Sequence, residues 1–340
     1  MSGEATVPAA TLAREHDFTA PGWLANCHVQ SVYPSLPLRR PTVSLGCRRL
    51  IRASRDVVVD CGDGVRLLAS HATQPDGAPG AGRIAVLLHG WEGSSDSLYV
   101  LSLGEHLYEH GYDVVRLNLR DHGGSQGLNP GIFHSCRIAE VVGAVRSIQQ
   151  SNPGRRLHLA GFSLGGNFML RVAARARAAG IEPACVVAVC PVVDPEHTLV
   201  RLEQGWPVYR HYFVWKWRRS LRAKQQAWPD RYDLRDVLSN GTLTTMTDVL
   251  ACRYGGYPSL QDYLRGYALT GDALATIEHP TRIITASDDP IIPVEDFARI
   301  ARPRALMVTT TTNGGHCGYY DARSGASWIE REVLATFAAS

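Results

Sequence analysis

Residues 157–167 read LHLAGFSLGGN and contain the pattern Gly-x-Ser-x-Gly around Ser163. The apolar run 157–160 is typical of a buried strand, and the pattern of residues 164–179 predicts a helix. A serine between a strand and a helix, flanked by these glycines, is typical of a nucleophile elbow, in which the serine occupies a strained turn. Glycine is required because Cβ atoms would collide in so tight a turn. The alternative is an ordinary glycine-rich turn, so the choice depends on a base and an acid further along the chain.

Strand-like and helix-like segments alternate along most of the chain. Segments 55–60 and 65–73 flank the turn residues 61–64 and predict a hairpin. Continuous apolar runs, typical of strands in a parallel sheet, follow and alternate with helix-like segments. The other runs lie at 84–88, 113–119, 185–190, 282–286 and 305–310, and the other helix-like segments at 97–110, 135–150, 294–301 and 324–338. The pattern predicts an α/β fold with a doubly wound, mostly parallel sheet.

Two regions break this alternation. More than 80 residues after Asp194 contain no convincing core strand, and a structureless loop of that length is improbable in a compact domain. We therefore expect an inserted helical cap, or lid, at residues 195–278, between core segments 56–194 and 279–340. Residues 1–55 carry five prolines and no clear periodicity, which predicts an irregular N-terminal arm.

The composition excludes several classes of protein. The chain has 340 residues, of which 45% are apolar and 20% charged, as in ordinary globular domains. The net charge of +3 is too small to indicate a nucleic-acid partner. No run reaches the roughly 18 apolar residues of a membrane-spanning helix, and residues 1–20 lack the pattern of a secretory signal. The eight cysteines form no C-x-x-C pair, so a cytoplasmic protein without a zinc knuckle is expected.

A base and an acid follow Ser163 in the order that a nucleophile elbow requires. His316 lies in the loop NGGHCG at 313–318, and two neighbouring carboxylates, Asp288 and Asp289, follow another predicted strand. Both loops come at carboxyl ends of strands, where open α/β sheets place their sites. The commoner spacing puts proline four residues after the acid, which favours Asp289, with Asp288 as the alternative.

A developing oxyanion needs two positioned amide donors, usually the residue after the nucleophile and one after an earlier core strand. The first donor would be the amide of Leu164. The second would be the amide of Trp91, in the segment LHGWEG at residues 88–93. The alternative for this segment is a plain turn at the end of a strand.

Other patterns compete with the serine interpretation. His106 to His110 match the zinc-peptidase pattern H-x-x-E-H, but this helix would lie on the flank of the sheet, and no third ligand is evident. Cys317 adjoins His316, yet adjacent loop residues rarely point together, so an idle thiol is favoured. Asp121 and His122 either line the cleft or belong to a polar loop. We therefore expect no metal and no cofactor.

Six motifs are spread over residues ~20–320: NCHVQ (26–30), HGWEG (89–93), GFSLGGN (161–167), YGGY (254–257) with Asp262-Tyr263, DDP (288–290) and GGH (314–316). In these motifs the sequence resembles the YheT-like group of the α/β-hydrolase fold. The segment NLRDHG at 118–123 departs from the group's usual pattern. The resemblance implies a Ser163–Asp289–His316 triad and hydrolysis of carboxylic esters, with lipid-like substrates in some members.

These observations predict a serine hydrolase that cleaves esters with apolar acyl chains through an acyl-Ser163 intermediate. An acyltransferase would use the same triad, and a binding protein that lost turnover is the other alternative. The predicted cap helix places Tyr209, Phe213 and Trp217 on one stripe. This stripe either packs on the core only, or belongs to a lid that also contacts an anionic membrane peripherally through three arginines, which are Arg218, Arg219 and Arg222.

Overall fold

Eight strands form one sheet in the computed structural model, which describes residues 18–75, 82–239, 241–321 and 327–340. The order across the sheet is β1-β2-β4-β3-β5-β6-β7-β8. Strands β1, β2 and β4 pair antiparallel, and all other neighbours pair parallel. The strands are β1 (Ser54–Asp60), β2 (Arg66–Ala72), β3 (Arg83–Leu88), β4 (Tyr112–Leu117), β5 (Arg156–Phe162), β6 (Pro183–Val189), β7 (Thr281–Ala286) and β8 (Leu306–Thr311). The predicted α/β fold with a mostly parallel sheet is confirmed.

Helices cover both faces of the sheet. Alternate residues of β3 belong to two separate apolar layers: Val86 packs in the layer that contains α5 and α6, whereas Leu87 packs in the layer that contains α4 and α13. This division follows from the period of two along a strand. The helices of the core are α4 (Leu98–Glu109), α5 (Ile138–Ser151), α6 (Leu164–Ala173), α7 (Ala176–Ala179) and α13 (Trp328–Ala338).

Three short helices lie in the N-terminal arm where the sequence predicts irregular chain. They are α1 (Cys27–Val32), α2 (Arg40–Gly46) and α3 (Arg48–Ala53). Each has six or seven residues, about two turns or fewer, which is too short for an apolar period to show in the sequence. Leu50 of α3 is fully buried in the apolar layer beneath α4. Residues 1–17 of the predicted arm lie outside the described residues.

Several helices lie between β6 and β7, where the sequence lacks a core strand. They are α8 (Pro195–Gln204), α9 (Pro207–Ala227), α10 (Arg235–Ser239), α11 (Leu243–Arg253) and α12 (Leu260–Arg265). Helix α9 packs on loops at the carboxyl ends of β3 and β4, as described below. None of the described helices is long and apolar enough to cross a membrane.

Two predicted helices differ in detail from the structure. The predicted helix 164–179 is divided into α6 and α7, with a break after Ala173. The predicted helix 294–301 is the 3₁₀ helix Val294–Arg299. All ten residues of α6 are buried, so its apolar pattern does not show where the helix ends. The second element has six residues, and over so short a segment the hydrophobic pattern does not distinguish one helix type from another.

Candidate active site

Ser163 lies between the end of β5 and the start of α6 with φ 54° and ψ −119°, a conformation that is strained for a residue with a side chain. The neighbouring glycines make this turn possible. A Cβ atom at Gly161 would lie 2.3 Å from the carbonyl oxygen of Gly165. One at Gly165 would lie 2.4 Å from the carbonyl oxygens of Leu88 and His89. The local geometry is therefore that of a nucleophile elbow, with Ser163 at the carboxyl edge of the sheet.

The three residues that the sequence singles out as nucleophile, base and acid are brought together. Nε2 of His316 lies 2.9 Å from Oγ of Ser163, and Nδ1 of His316 lies 2.8 Å from Oδ2 of Asp289. The side chain of Asp289 is fully buried. Its second oxygen, Oδ1, accepts hydrogen bonds from the amides of Ile291 and Ile292 at 2.8 and 2.9 Å. These two bonds hold the carboxylate in one orientation toward the imidazole.

Asp288, the alternative acid, has a different position. Its Oδ1 accepts a hydrogen bond from the amide of Gly315 at 2.9 Å, and its Oδ2 lies 3.5 Å from the side-chain nitrogen of Asn313. Asp288 therefore holds the backbone of the loop that carries His316, whereas Asp289 contacts the imidazole itself. Both side chains reach the same loop, and the one that contacts the imidazole is Asp289, which the spacing to Pro293 favours.

The loop after β3 lies directly beside the nucleophile. A Cβ atom at Gly90 would lie 3.2 Å from Cβ of Ser163, so the backbone that leads to Trp91 passes close to this side chain. The amide of Gly90 donates to the hydroxyl of Tyr99 at 3.0 Å, which ties this loop to α4. Leu164 is the first residue of α6, where backbone amides lack partners within the helix.

Helix α9 packs on this loop through aromatic rings. The ring of Phe213 stacks on Trp91 at 5.0 Å between centroids, and Trp217 meets the same indole edge-on at 5.0 Å. Nζ of Lys216 donates to the carbonyl oxygen of Glu92 at 2.6 Å. These contacts place α9 over the loop that would supply the second oxyanion donor.

Buried polar groups join the loops that follow β3 and β4. His89 is fully buried, and its Nε2 accepts a hydrogen bond from the amide of Leu119 at 3.2 Å. Burial lowers the pKa of His89 well below its usual value and lowers that of His122 to about 4. Both imidazoles are therefore neutral at physiological pH and act as fixed hydrogen-bonding groups.

The sequence leaves two interpretations of Asp121 and His122, either as residues that line the cleft or as part of a polar loop. In the structure both residues are buried. Asp121 accepts hydrogen bonds from Nζ of Lys224, at 2.8 Å, and from the amide of Phe133, at 2.7 Å. The Lys224 ammonium also donates to the carbonyl oxygens of Asn129 and Gly131. Asp121 therefore anchors α9 to the loop after β4, a role that the sequence pattern does not reveal.

The structure also places the residues of two competing sequence patterns. His106 is on α4 and His110 directly follows it, and this helix packs on the flank of the sheet with α13. The thiol of Cys317 lies within 4.8 Å of a ring nitrogen of His316, so the expectation that these adjacent side chains point apart is wrong. The same thiol lies 3.6 Å from the carbonyl oxygen of Val189, and burial raises its pKa well above the usual value. A buried thiol of this kind stays protonated and is a poor nucleophile.

Glu92 is a buried carboxyl in the loop beside the candidate oxyanion site, and burial raises its pKa to about 7. The unfolded chain releases this proton near pH 4.5, so stability falls as pH rises from about 4.5 to 7. We expect Glu92→Gln to remove this fall and to raise the free energy of unfolding at pH 8 by on the order of 2–3 kcal/mol.

Urea unfolding of both proteins at pH 4.5 and pH 8 measures this difference. Asp60→Asn, at an exposed position on β1, is a matched control that should not change the pH dependence in this way. A Glu92→Gln protein that loses stability equally at both pH values would contradict the expectation.

A model of the α/β hydrolase fold matches residues 86–322 of the chain. The chain belongs to the α/β hydrolase fold family. Among its relatives, this α/β hydrolase is 26% identical over 342 residues to YheT of Escherichia coli (strain K12), which is named as an esterase; the match covers 98% of this chain and 96% of that protein. The resemblance to the YheT-like group is confirmed.

Two further comparisons agree with this placement. The α/β hydrolase is 23% identical to the monoacylglycerol lipase ABHD2 of Homo sapiens, with 92% of this chain and 77% of that protein covered. Among solved structures, the esterase Pf2001 of Pyrococcus furiosus superposes with a TM-score of 0.54 at 17% identity, covering 85% of this chain and 91% of that chain. At this identity the structural likeness shows the shared fold alone.

Sequence reasoning missed the part of the arm that reaches this site. The amide of His316 donates to Oγ of Ser31 at 2.8 Å, across 285 positions of sequence. The motif NCHVQ carries the resemblance to the YheT-like group, but its sequence does not indicate what it contacts. The one local signal is Asn26, whose side chain accepts from the amides of His28 and Val29 and so begins α1.

Proposed function

We propose that this protein is a serine hydrolase that cleaves carboxylic esters with apolar acyl chains. The observation that supports the proposal best is the chain of hydrogen bonds from Ser163 through His316 to Asp289 at a nucleophile elbow. A serine hydroxyl is a weak nucleophile until a base accepts its proton, and the imidazole of His316 lies within reach for that transfer. The names of the relatives, esterases and lipases, agree with this chemistry.

In the proposed reaction, Oγ of Ser163 attacks the ester carbonyl carbon while Nε2 of His316 takes the hydroxyl proton. The amides of Trp91 and Leu164 donate to the resulting oxyanion. Collapse of the tetrahedral intermediate breaks the bond to the alkoxy oxygen, which leaves as an alcohol with the proton from His316. Water, deprotonated by His316, then attacks the acyl-Ser163 ester and releases the acid. Asp289 orients the imidazole and stabilises its charged form, and the reaction requires no cofactor.

An acyltransferase is the second candidate, because an alcohol that replaces water in the last step would use the same acyl-Ser163. A Saccharomyces cerevisiae relative, 22% identical over 75% of this chain and 61% of its own length, is named as a medium-chain fatty acid ethyl ester synthase/esterase. Adding ethanol and measuring the ratio of ethyl ester to free acid distinguishes the two outcomes.

Residues 195–278 are proposed to act as a cap over this chemistry. Phe213 and Trp217 lie on the ring of Trp91, and Lys224 is buried against Asp121, so α9 is attached to the loops at the carboxyl edge of the sheet. A cap in this position would exclude bulk water from the acyl-enzyme and surround the acyl chain with apolar side chains. It would therefore favour esters of apolar acids.

The outer face of α9 is proposed to contact anionic membranes peripherally. Trp215 is 59% exposed and Tyr212 is 44% exposed, an unusual degree of exposure for aromatic side chains. A groove of about 520 Å³ beside them is lined by both apolar and basic residues, including Trp215 and Arg222. Tryptophan at an interface with arginine near phosphates is the arrangement of an interfacial helix.

All eight cysteines are free, in agreement with the proposed cytoplasmic location.

Replacing the exposed Arg219 and Arg222 by glutamine tests the membrane contact. We expect binding to vesicles of mixed neutral and anionic phospholipids to weaken roughly 30-fold, about 1 kcal/mol for each removed charge. Hydrolysis of a short water-soluble ester should stay unchanged. The matched control replaces the exposed Arg52, at the end of α3, and Arg55, at the start of the edge strand β1, which removes the same charge from another surface. A wild type that does not sediment with these vesicles would overturn the proposed membrane contact.

A further inference from the structure

Helix α1 of the arm lies against the loop of residues 313–321 that carries His316. Ser31 accepts a hydrogen bond from the amide of His316 at 2.8 Å. One turn of helix away, Oγ of Ser31 itself donates to the carbonyl oxygen of Cys27 at 2.7 Å, which fixes the rotamer of the side chain. The hydroxyl is thus oriented with its free lone pairs toward the backbone of the candidate base.

Gln30 holds the same loop four residues further along. Its Nε2 donates to the carbonyl oxygen of Tyr320 at 2.9 Å, and its Oε1 accepts from the amide of Tyr320, also at 2.9 Å. The side chain is fully buried, so neither bond competes with water. A primary amide that pairs with both the N–H and the C=O of one residue acts like a neighbouring strand and holds that residue in a single position.

The contact between α1 and the loop is too close for side chains. A Cβ atom at Gly315 would lie 2.5 Å from the carbonyl oxygen of Cys27. One at Gly318 would lie 2.4 Å from the carbonyl oxygen of Gln30. The glycines on both sides of His316 therefore serve the approach of the arm.

The loop is strained and needs support from outside. Cys317 and Tyr319 have φ of 59° and 49°, in the left-handed region that residues with side chains rarely adopt. Such conformations are strained and persist only where the surroundings hold them. Asp288 supports the loop from the core through Gly315, and α1 supports it from the opposite end of the chain.

The same helix also contacts the proposed cap. Nδ1 of His28 lies 2.9 Å from the hydroxyl of Tyr209, which is buried at the start of α9. Helix α1 therefore lies between the histidine loop and the helix that covers the oxyanion loop. Its position is fixed on both sides by hydrogen bonds to segments that are remote in sequence.

We propose that Gln30 and Ser31 are positioning residues for His316. They touch neither substrate nor the reacting atoms. They hold the backbone of the histidine loop so that Nε2 stays within hydrogen-bond distance of Ser163 while Asp289 orients the ring. This inference rests on the proposed serine hydrolase function, and it assigns part of the active site to the arm rather than to the hydrolase core.

Steady-state kinetics of Ser31→Ala and Gln30→Met on a short soluble ester test the inference. A misplacement of about 1 Å can lower a rate by about 100-fold, so we expect kcat to fall about 10- to 100-fold with KM nearly unchanged. The rate at which a fluorophosphonate labels Ser163 should fall by the same factor, because labelling needs the same proton transfer. Ser31→Thr, which keeps the hydroxyl, should restore most of the rate.

Gln149→Met is the matched control. Gln149 also makes two hydrogen bonds to backbone, donating to Gly180 at 3.0 Å and accepting from Glu182 at 2.8 Å, on an exposed surface of the core. We expect this variant to keep wild-type kcat. Full activity of Ser31→Ala would overturn the positioning role, and so would an equal fall in kcat for Gln149→Met and Gln30→Met. In either case, labelling of the wild type by the fluorophosphonate would still support the proposed serine hydrolase function. A wild type that neither labels nor hydrolyses esters would overturn both.

Discussion

Replacing Ser163 by alanine is expected to abolish fluorophosphonate labelling and to lower kcat for ester hydrolysis by about 10⁴- to 10⁶-fold. The reason is that no acyl intermediate can form without the hydroxyl at the elbow, and Nε2 of His316, 2.9 Å from that hydroxyl, then has no proton to accept. The measurement is the turnover of a chromogenic short-chain ester, compared with labelling of the same samples.

His316→Ala is the internal check on that result. Loss of the base should reduce kcat to a similar extent, and the double variant should be no slower than either single one, because the two residues act as one unit. Wild-type activity in Ser163→Ala would show that another group is the nucleophile. A wild type without labelling or turnover would instead favour the binding-protein alternative.

Replacing Asp289 by asparagine should lower kcat by about 10⁴-fold, although the geometry of the site changes little. The asparagine amide would donate to Nδ1 of His316 and so hold the imidazole in the tautomer that cannot accept the serine proton. Oδ1 of Asp289 accepts two backbone amides, so the oxygen of asparagine is expected to take that position and leave its NH₂ toward the ring.

Asp288→Asn is the matched control, since it makes the same change one residue earlier. Its oxygen contacts the amide of Gly315, and an asparagine oxygen still accepts that hydrogen bond, so kcat should fall by at most about tenfold. Circular dichroism and thermal unfolding of both variants show whether each one folds. A severe loss in Asp288→Asn with near-normal rates in Asp289→Asn would reverse the roles of the two carboxylates.

The predictable part of this molecule is local in sequence. The apolar runs predict buried strands because a parallel sheet is covered on both faces, and the glycines around Ser163 predict a tight turn because Cβ atoms do not fit there. The order serine, acid, histidine and the positions of the loops after strands were enough to name Ser163, His316 and, for the acid, the pair Asp288 and Asp289. Proline at position 293 favoured Asp289 over Asp288, and the structure brings Asp289 to the imidazole.

The arm was the least predictable part. Helix α1 has six residues, so its hydrophobic pattern covers less than two turns and carries no period. Its contacts with His316 and Tyr320 join residues separated by 285 and 290 positions. Nothing in the motif NCHVQS itself indicates those partners, because a serine or glutamine on a short helix is equally compatible with solvent.

The ion pair of Lys224 with Asp121 is a second contact that the sequence does not predict, and it lies in the region between β6 and β7. A lysine in a helix rich in arginine and tryptophan reads as a solvent-exposed cation, yet it is 1% exposed and surrounded by oxygen atoms of the loop after β4. The sequence by itself determined the α/β class, the elbow and the order of the candidate catalytic residues, since each follows from the sterics and periodicity of neighbouring residues. Only the tertiary structure decided that the arm supports the histidine loop and that a buried lysine fastens α9, because burial and pairing depend on which distant segments the fold brings into contact.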